Sequence, residues 1–184
     1  HTRYGTVTGV QTCALPIFVE RRSDGKLKLV DCGVIRTSPD ISLEERLLLL
    51  EKEIISWIEK VQPDVIAIER VFSQLNVRTA MATGQAAGVA ILLAAKSGIT
   101  LAHHTPSEVK AAVSGSGRAD KKQVATMVVR ILGLDEAPKP VDTTDALALA
   151  ICHHWRGANI SRLSVATKRE KSRISSLTKL RRAK

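Results

Sequence analysis

From Phe18 onward, the hydrophobic positions pass back and forth between strand-like and helix-like spacing, and that pattern predicts an α/β domain. FVERR (Phe18–Arg22) and KLKLVDCGVIRT (Lys26–Thr37) are extended runs separated by Ser23-Asp24-Gly25. Asp-Gly between such runs predicts a hairpin, because the glycine supplies the positive φ that a tight turn needs. Leu43, Leu47, Leu50, Ile54 and Ile58 then recur at helical spacing behind Ser42-x-x-Glu45, a capping box, so a helix is expected to about Lys60. Pro63 ends it. DVIAIE (Asp64–Glu69) follows as a short apolar run of the kind buried on both faces of a sheet.

A second helix is expected over Val77–Lys96, where Ala80, Ala82, Gly84, Ala86, Ala87 and Gly88 permit close packing against a sheet or a second copy. Gly98 stops it, and ITLAH (Ile99–His103) reads as a strand. Thr105-Pro106-Ser107-Glu108 combines an N-cap, a proline at N1 and a glutamate at N3, which starts a short helix to about Val113. Beyond a Gly/Ser loop (Ser114–Gly117), a helix runs from Asp120 to about Leu132. Pro138 and Pro140 break the chain before a last helix, Asp142 to about Trp155. Strands alternating with helices imply a mixed sheet flanked by helices.

Composition adds three constraints. At 184 residues with 3% aromatics, the chain can build one real core, and must build it from Leu, Ile, Val and Ala. The formal charge of +10 is uneven, since the tail from Ala158 onward holds nine Lys/Arg against Glu170 alone, leaving about +2 for the remainder. Residues 158–184 therefore read as a basic, disordered tail, either solvated or directed at nucleic acid. Cys13, Cys32 and Cys152 have neither metal spacing nor an even count, which favours a reduced, cytoplasmic protein. No apolar run approaches the ~20 residues of a membrane span, and no signal peptide is evident.

The candidate chemistry lies in three carboxylates. Glu69 closes the apolar run VIAIE, and Asp142 and Asp145 open DTTDALALAI. A carboxylate at the edge of a core must be paired or bound to metal. Spaced three apart, the two aspartates share one face of a first helical turn. Acids there also suit the helix dipole, so capping alone accounts for one of them readily, but not for Glu69 at a strand end, where α/β sheets bind ligands. Oxygen ligands of this sort suit magnesium, and two such ions can drive phosphodiester cleavage. SGSGRADKK (Ser114–Lys122) supplies glycines for close approach and Arg118, Lys121 and Lys122 for phosphate, while Phe72 could wedge between bases. The adjacent pairs His103-His104 and His153-His154 lack the spacing of zinc ligands.

AIERVFSQLNVRTAMATGQAAGVAI (Ala67–Ile91), HTPSEVKAAVSGSGRADKKQV (His104–Val124) and DTTDALALAICH (Asp142–His153) closely resemble the RuvC family of Holliday-junction resolvases, in the family's order. The resemblance spans about Phe18–Trp155. It implies a ribonuclease-H-like fold over residues 18–157, a homodimer, and magnesium-dependent paired nicks across a four-way DNA junction. Two Mg2+ per site are implied, with Mn2+ as a substitute, as is partnership with the RuvA–RuvB branch-migration complex. By the same resemblance Glu69, Asp142 and Asp145 are catalytic metal ligands, Phe72 stacks near the junction centre, and Lys110 and Lys121 serve junction binding or catalysis. Gly84, Ala87 and Gly88 lie on the helix that pairs the family's dimer. Without the resemblance, a non-catalytic, structure-selective DNA-binding module remains the alternative, and an actin-like or sugar-kinase ATPase is disfavoured by the lack of a Gly-rich phosphate loop.

One family element is missing. The family opens on a strand whose aspartate, just before Pro-Gly, supplies the remaining metal ligand, and this chain has no acid before Glu20. HTRYGTVTGVQTCALPI (His1–Ile17) instead resembles a translated sequencing adapter, VTGVQTCALPI matching eleven consecutive codons of one. The expectation is an artefact joined to a truncated gene, set aside in reading the fold, with the first strand missing or replaced; whether the segment folds onto the sheet is left open. Val10 falls at about the aspartate's distance upstream of Glu69.

Overall fold

Two hydrophobic layers, one on each face of a single sheet, organise this chain. The computed structural model describes residues 3–10, 13–70 and 77–156; the expectations for Phe72 and for the tail 158–184 lie outside them. Its strands are β1 (Arg3–Val10), β2 (Cys13–Arg21), β3 (Leu27–Cys32), β4 (Ile35–Arg36), β5 (Val65–Glu69) and β6 (Thr100–His104). Its helices are α1 (Leu43–Val61), α2 (Val77–Lys96), α3 (Pro106–Ser114), α4 (Lys121–Leu132) and α5 (residues 142–156). The strand order is β3-β2-β1-β5-β6, with β4 on β2; the β1–β2 and β2–β3 pairs are antiparallel, and β1–β5 and β5–β6 are parallel.

Local signals explain the element boundaries. Ser42, Thr105 and Asp120 each cap a helix through a reciprocal capping box with Glu45, Glu108 and Gln123. Gly115 and Gly133 close α3 and α4 in the left-handed region, where a Cβ is costly. α5 is apolar all round over Ala146–Cys152, each residue at most 1% exposed, as a helix with no polar face must be. It shares one layer with α3 and α4, built from Val109, Val113, Val124, Val128, Leu147 and Leu149 against Leu15, Ile17, Val19 and Ala67. The opposite layer sets Leu50, Ile54 and Ile58 of α1 and Leu93 of α2 against Ala14, Ile35, Ile66 and Ile68. The alternation of Ile66, Ala67 and Ile68 between layers is the two-residue period of a strand buried on both sides.

Two sequence expectations are corrected. The segment set aside in reading the fold contributes all of β1 and the first residues of β2, so the replaced first strand at the sheet's central position is Arg3–Val10. The first extended run accordingly starts at Cys13 rather than Phe18. The second run is two strands, because the chain turns at Gly33, whose N–H donates to the Pro16 carbonyl, and re-pairs with β2 at Ile35. By contact density the chain forms two units, His1–His153 and His154–Lys184. The first holds the whole sheet; of the second, the described residues 154–156 are helical. Among the described residues no helix is long and apolar enough to cross a membrane.

Candidate functional site

The parallel strands β5 and β6 end side by side, Glu69 in register with His104. Glu69 is half-buried at the point where β5 leaves the sheet. Asp142 and Asp145 occupy the first turn of α5, with side chains 49% and 41% exposed, and the buried helix behind them fixes where that turn lies. Lys121, the first residue of α4, reaches both: its Nζ is 3.7 Å from Asp142 Oδ1 and 3.1 Å from Asp145 Oδ2. Exposed ion pairs of this kind contribute about 0.2–1 kcal/mol. The pairing holds the Lys121 ammonium above its usual range, chiefly through the hydrogen bond and charge of Asp145.

Glu69 belongs to the same electrostatic cluster. Burial pushes its carboxyl above the usual carboxylate range, the Asp145 charge pushes it further, and Lys121 and Lys110 pull back. Three of the residues singled out from sequence, Asp145, Lys121 and Lys110, therefore act on a fourth, Glu69, and Asp142 is joined to them through Lys121. Arg118, directly after the glycine-bearing loop, and Lys122, next to Lys121 on α4, are both exposed.

The raised Glu69 has a thermodynamic consequence. Because its folded value exceeds the unfolded one, the unfolded chain ionises first as pH rises. Stability is then lost from about pH 4.5 upward through the raised value. Glu69→Gln removes that cost. The variant is expected to melt higher than the parent near neutral pH. Thermal scans should show the two proteins converging near about pH 4. A gap independent of pH would contradict this assignment.

A metal ion must be judged against these donors. All three acids offer hard oxygen ligands of the type magnesium takes, and the ammonium between Asp142 and Asp145 shows that the cluster demands positive charge. In kind the residues fit a divalent cation; in number they fall short. Among the described residues, no group of three His, Cys, Asp or Glu is gathered closely enough to hold an ion. The β1–β5 pairing runs from Tyr4 with Val65 to Thr6 with Ala67; continued by two residues it would set Thr8, rather than Val10, beside Glu69, and β1 carries no carboxylate anywhere.

The sequence reading missed one contact at this site. His104 and His153, buried to 4% and 7% exposure, meet with Nε2 and Nδ1 3.0 Å apart. Strand alternation hid the pairing, since only one residue of His103-His104 can turn toward α5, and neither histidine pair has a sequence spacing that refers to the other.

A mixed sheet in this strand order, flanked by helices and carrying acids at the end of a central parallel strand and at the start of the last helix, defines a ribonuclease-H-like domain. Residues 4–153 match the family model for the crossover junction endodeoxyribonuclease RuvC. The chain is 51% identical over 165 residues to the RuvC of Saccharopolyspora erythraea, covering 88% of this chain and 81% of that protein. It is 48% identical over 171 residues to that of Mycobacterium tuberculosis, covering 93% and 90%. Among solved structures, Thermus thermophilus RuvC in complex with a Holliday junction substrate superposes with a TM-score of 0.80 at 30% identity, covering 85% of this chain and 95% of that one. This chain belongs to the RuvC family.

Proposed function

We propose that the gene behind this chain encodes a structure-selective endonuclease that resolves four-way DNA junctions by paired nicks. The observation that carries the reading is the convergence of Glu69, Asp142 and Asp145 around Lys121 where β5 ends. The likeness to a relative solved with a Holliday junction supports the substrate. Glu69, Asp142 and Asp145 are the residues that would hold magnesium or manganese, two ions per site. Bound there, the metal would supply an activated water and charge neutralisation at the leaving oxygen. Lys110, Arg118, Lys121 and Lys122 bind and orient the phosphate backbone, and Phe72 stacks on bases at the junction centre.

Paired nicks require two sites, and α2 supports a homodimer. Gly84 and Gly88 are exposed with open space where a Cβ would stand, and Met81 and Leu92 are 61% and 52% exposed on the same helix. A RuvA–RuvB complex is the proposed partner in recombination and repair, and the cytoplasm the proposed location. His1–Ile17 remains, on this reading, an adapter-derived replacement of the native first strand, joined to a resolvase domain at 18–157 and a basic tail at 158–184. The chain as it stands is then a poor catalyst, because β1 brings no carboxylate to Glu69.

The rival is a module that binds junctions without cutting them. Nicking assays on four-way junctions with and without Mg2+ separate the two, using the chain with an Asp-Pro-Gly first strand restored. Magnesium-dependent nicks are expected; binding without cleavage would favour the rival.

A further inference from the structure

Helix α5 is held by contacts of two kinds. Over Ala146–Cys152 it is buried among apolar side chains, each residue at most 1% exposed, and such burial is non-directional. The alternation of Ala with Leu or Ile from Ala146 to Ile151 spreads the large side chains round the helix, so packing alone records little of its rotation. His153 adds a contact with a direction. Its Nδ1 stands 3.0 Å from Nε2 of His104, the last residue of β6, and both rings are buried. One nitrogen must carry the hydrogen and the other the lone pair, so the two imidazoles hold complementary tautomers. Beside it the Cys152 thiol donates to the Glu108 carbonyl of α3 at 3.6 Å. His104 is also the ladder neighbour of Glu69, and its carbonyl accepts from the Arg70 N–H at 2.7 Å, where the chain leaves β5.

We propose that the His104–His153 hydrogen bond is a positioning device: it fixes the rotation and seating of α5 against the end of β6, and so sets where Asp142 and Asp145 stand relative to Glu69. The proposal rests on the reading of these acids as one site and requires no ion bound there. Asp142 precedes His153 by eleven residues, about three turns, so the two project from nearly the same side of the helix. A turn of α5 by about 20° would carry a side chain at the helix's outer radius about 2 Å. A misplacement of about 1 Å is enough to cost a preorganised site roughly 10²-fold. A buried polar contact whose partners are both satisfied is what selects one arrangement among several that pack equally well.

Asn and Leu have nearly the same shape, and only Asn keeps a hydrogen-bonding group near the place of Nδ1. The decisive variants are therefore His153→Asn and His153→Leu, with the double variant His104→Leu/His153→Leu beside them. Amide exchange over residues 142–149 is read in the chain without added metal, and junction nicking at fixed Mg2+ in the strand-restored chain, both well below the melting temperature. His153→Asn is expected to keep the parent's exchange and to nick within about threefold of it, whereas His153→Leu should exchange faster and nick roughly tenfold or more slowly. In the double variant neither imidazole is left without the other, so melting should return close to the parent's while exchange and nicking stay impaired. Scalar coupling between the two imidazole nitrogens across the shared hydrogen is expected in the parent, and its absence would overturn the proposal without any variant. So would His153→Asn doing no better than His153→Leu, or a double variant with the parent's exchange and nicking, since the pair would then only fill space. The underlying reading fails differently: Glu69→Gln in the strand-restored chain would cut at the parent's rate, whatever the histidine variants do to exchange in α5.

Discussion

Restoring an aspartate on the first strand is expected to raise four-way-junction nicking by roughly 10²-fold or more. That is the scale on which losing one charge-stabilising group from a preorganised site lowers kcat. The β1–β5 register pairs Thr6 with Ala67 and, continued by two residues, would set Thr8 beside Glu69. A hydroxyl or an alkyl group there gives a cation one fewer anionic ligand, and the burial and Asp145 charge that raise the Glu69 carboxyl are opposed only by Lys121 and Lys110. Two forms of the experiment are informative: Thr8→Asp in this chain, and replacement of residues 1–17 by a strand carrying Asp-Pro-Gly. Nicking rates are compared at fixed Mg2+. Equal rates for this chain and the strand-restored chain would refute the impairment.

The largest expected effect on stability lies on the opposite layer. At Gly33 a Cβ would fall 2.2 Å from Trp57 Cζ2 and 2.9 Å from Cη2, closer than any real contact. The indole has little freedom to yield: it stacks on Phe18 at 5.5 Å, and Lys60 Nζ lies 4.8 Å over its ring while also pairing with Asp31 at 2.7 Å. Gly33→Ala must therefore either tear the ring from that stack or push the β3–β4 turn away from Pro16. A cost of about 1–3 kcal/mol is expected, as for other overpacked sites. Chemical denaturation checks it, and Trp57→Leu supplies the control. With the indole gone, adding Gly33→Ala should cost much less than it does in the parent, a coupling that neighbours in contact show and distant sites do not. Additive effects would mean that the glycine is there for its backbone alone.

Which features were readable from sequence depended on whether the signal was local. The capping boxes at Ser42 and Thr105, the Pro63 stop, and the acidic turn at Asp142 and Asp145 are determined by residues within a few positions of each other, and each is found where expected. The family resemblance rested on such local blocks as well. Three-dimensional partnership was not readable. His104 meets His153 across 49 residues, and Lys121 reached two acids of another helix although its sequence neighbours suggested only phosphate. β1 went unread for a different reason: RYGTVTGV has no hydrophobic period of its own. It is a strand because it pairs with β2 on one side and β5 on the other, so tertiary context overrides weak propensity.

The central claim, that Glu69, Asp142 and Asp145 form one cleaving site, is tested most directly by Glu69→Gln in the strand-restored chain. The measurement is junction nicking in Mg2+ alongside junction binding by the same protein. Cleavage should fall to background while binding stays within about twofold, since the substitution removes one ligand oxygen's charge and no phosphate-binding group. A Glu69→Gln protein that cuts four-way junctions at the parent's rate would contradict the account.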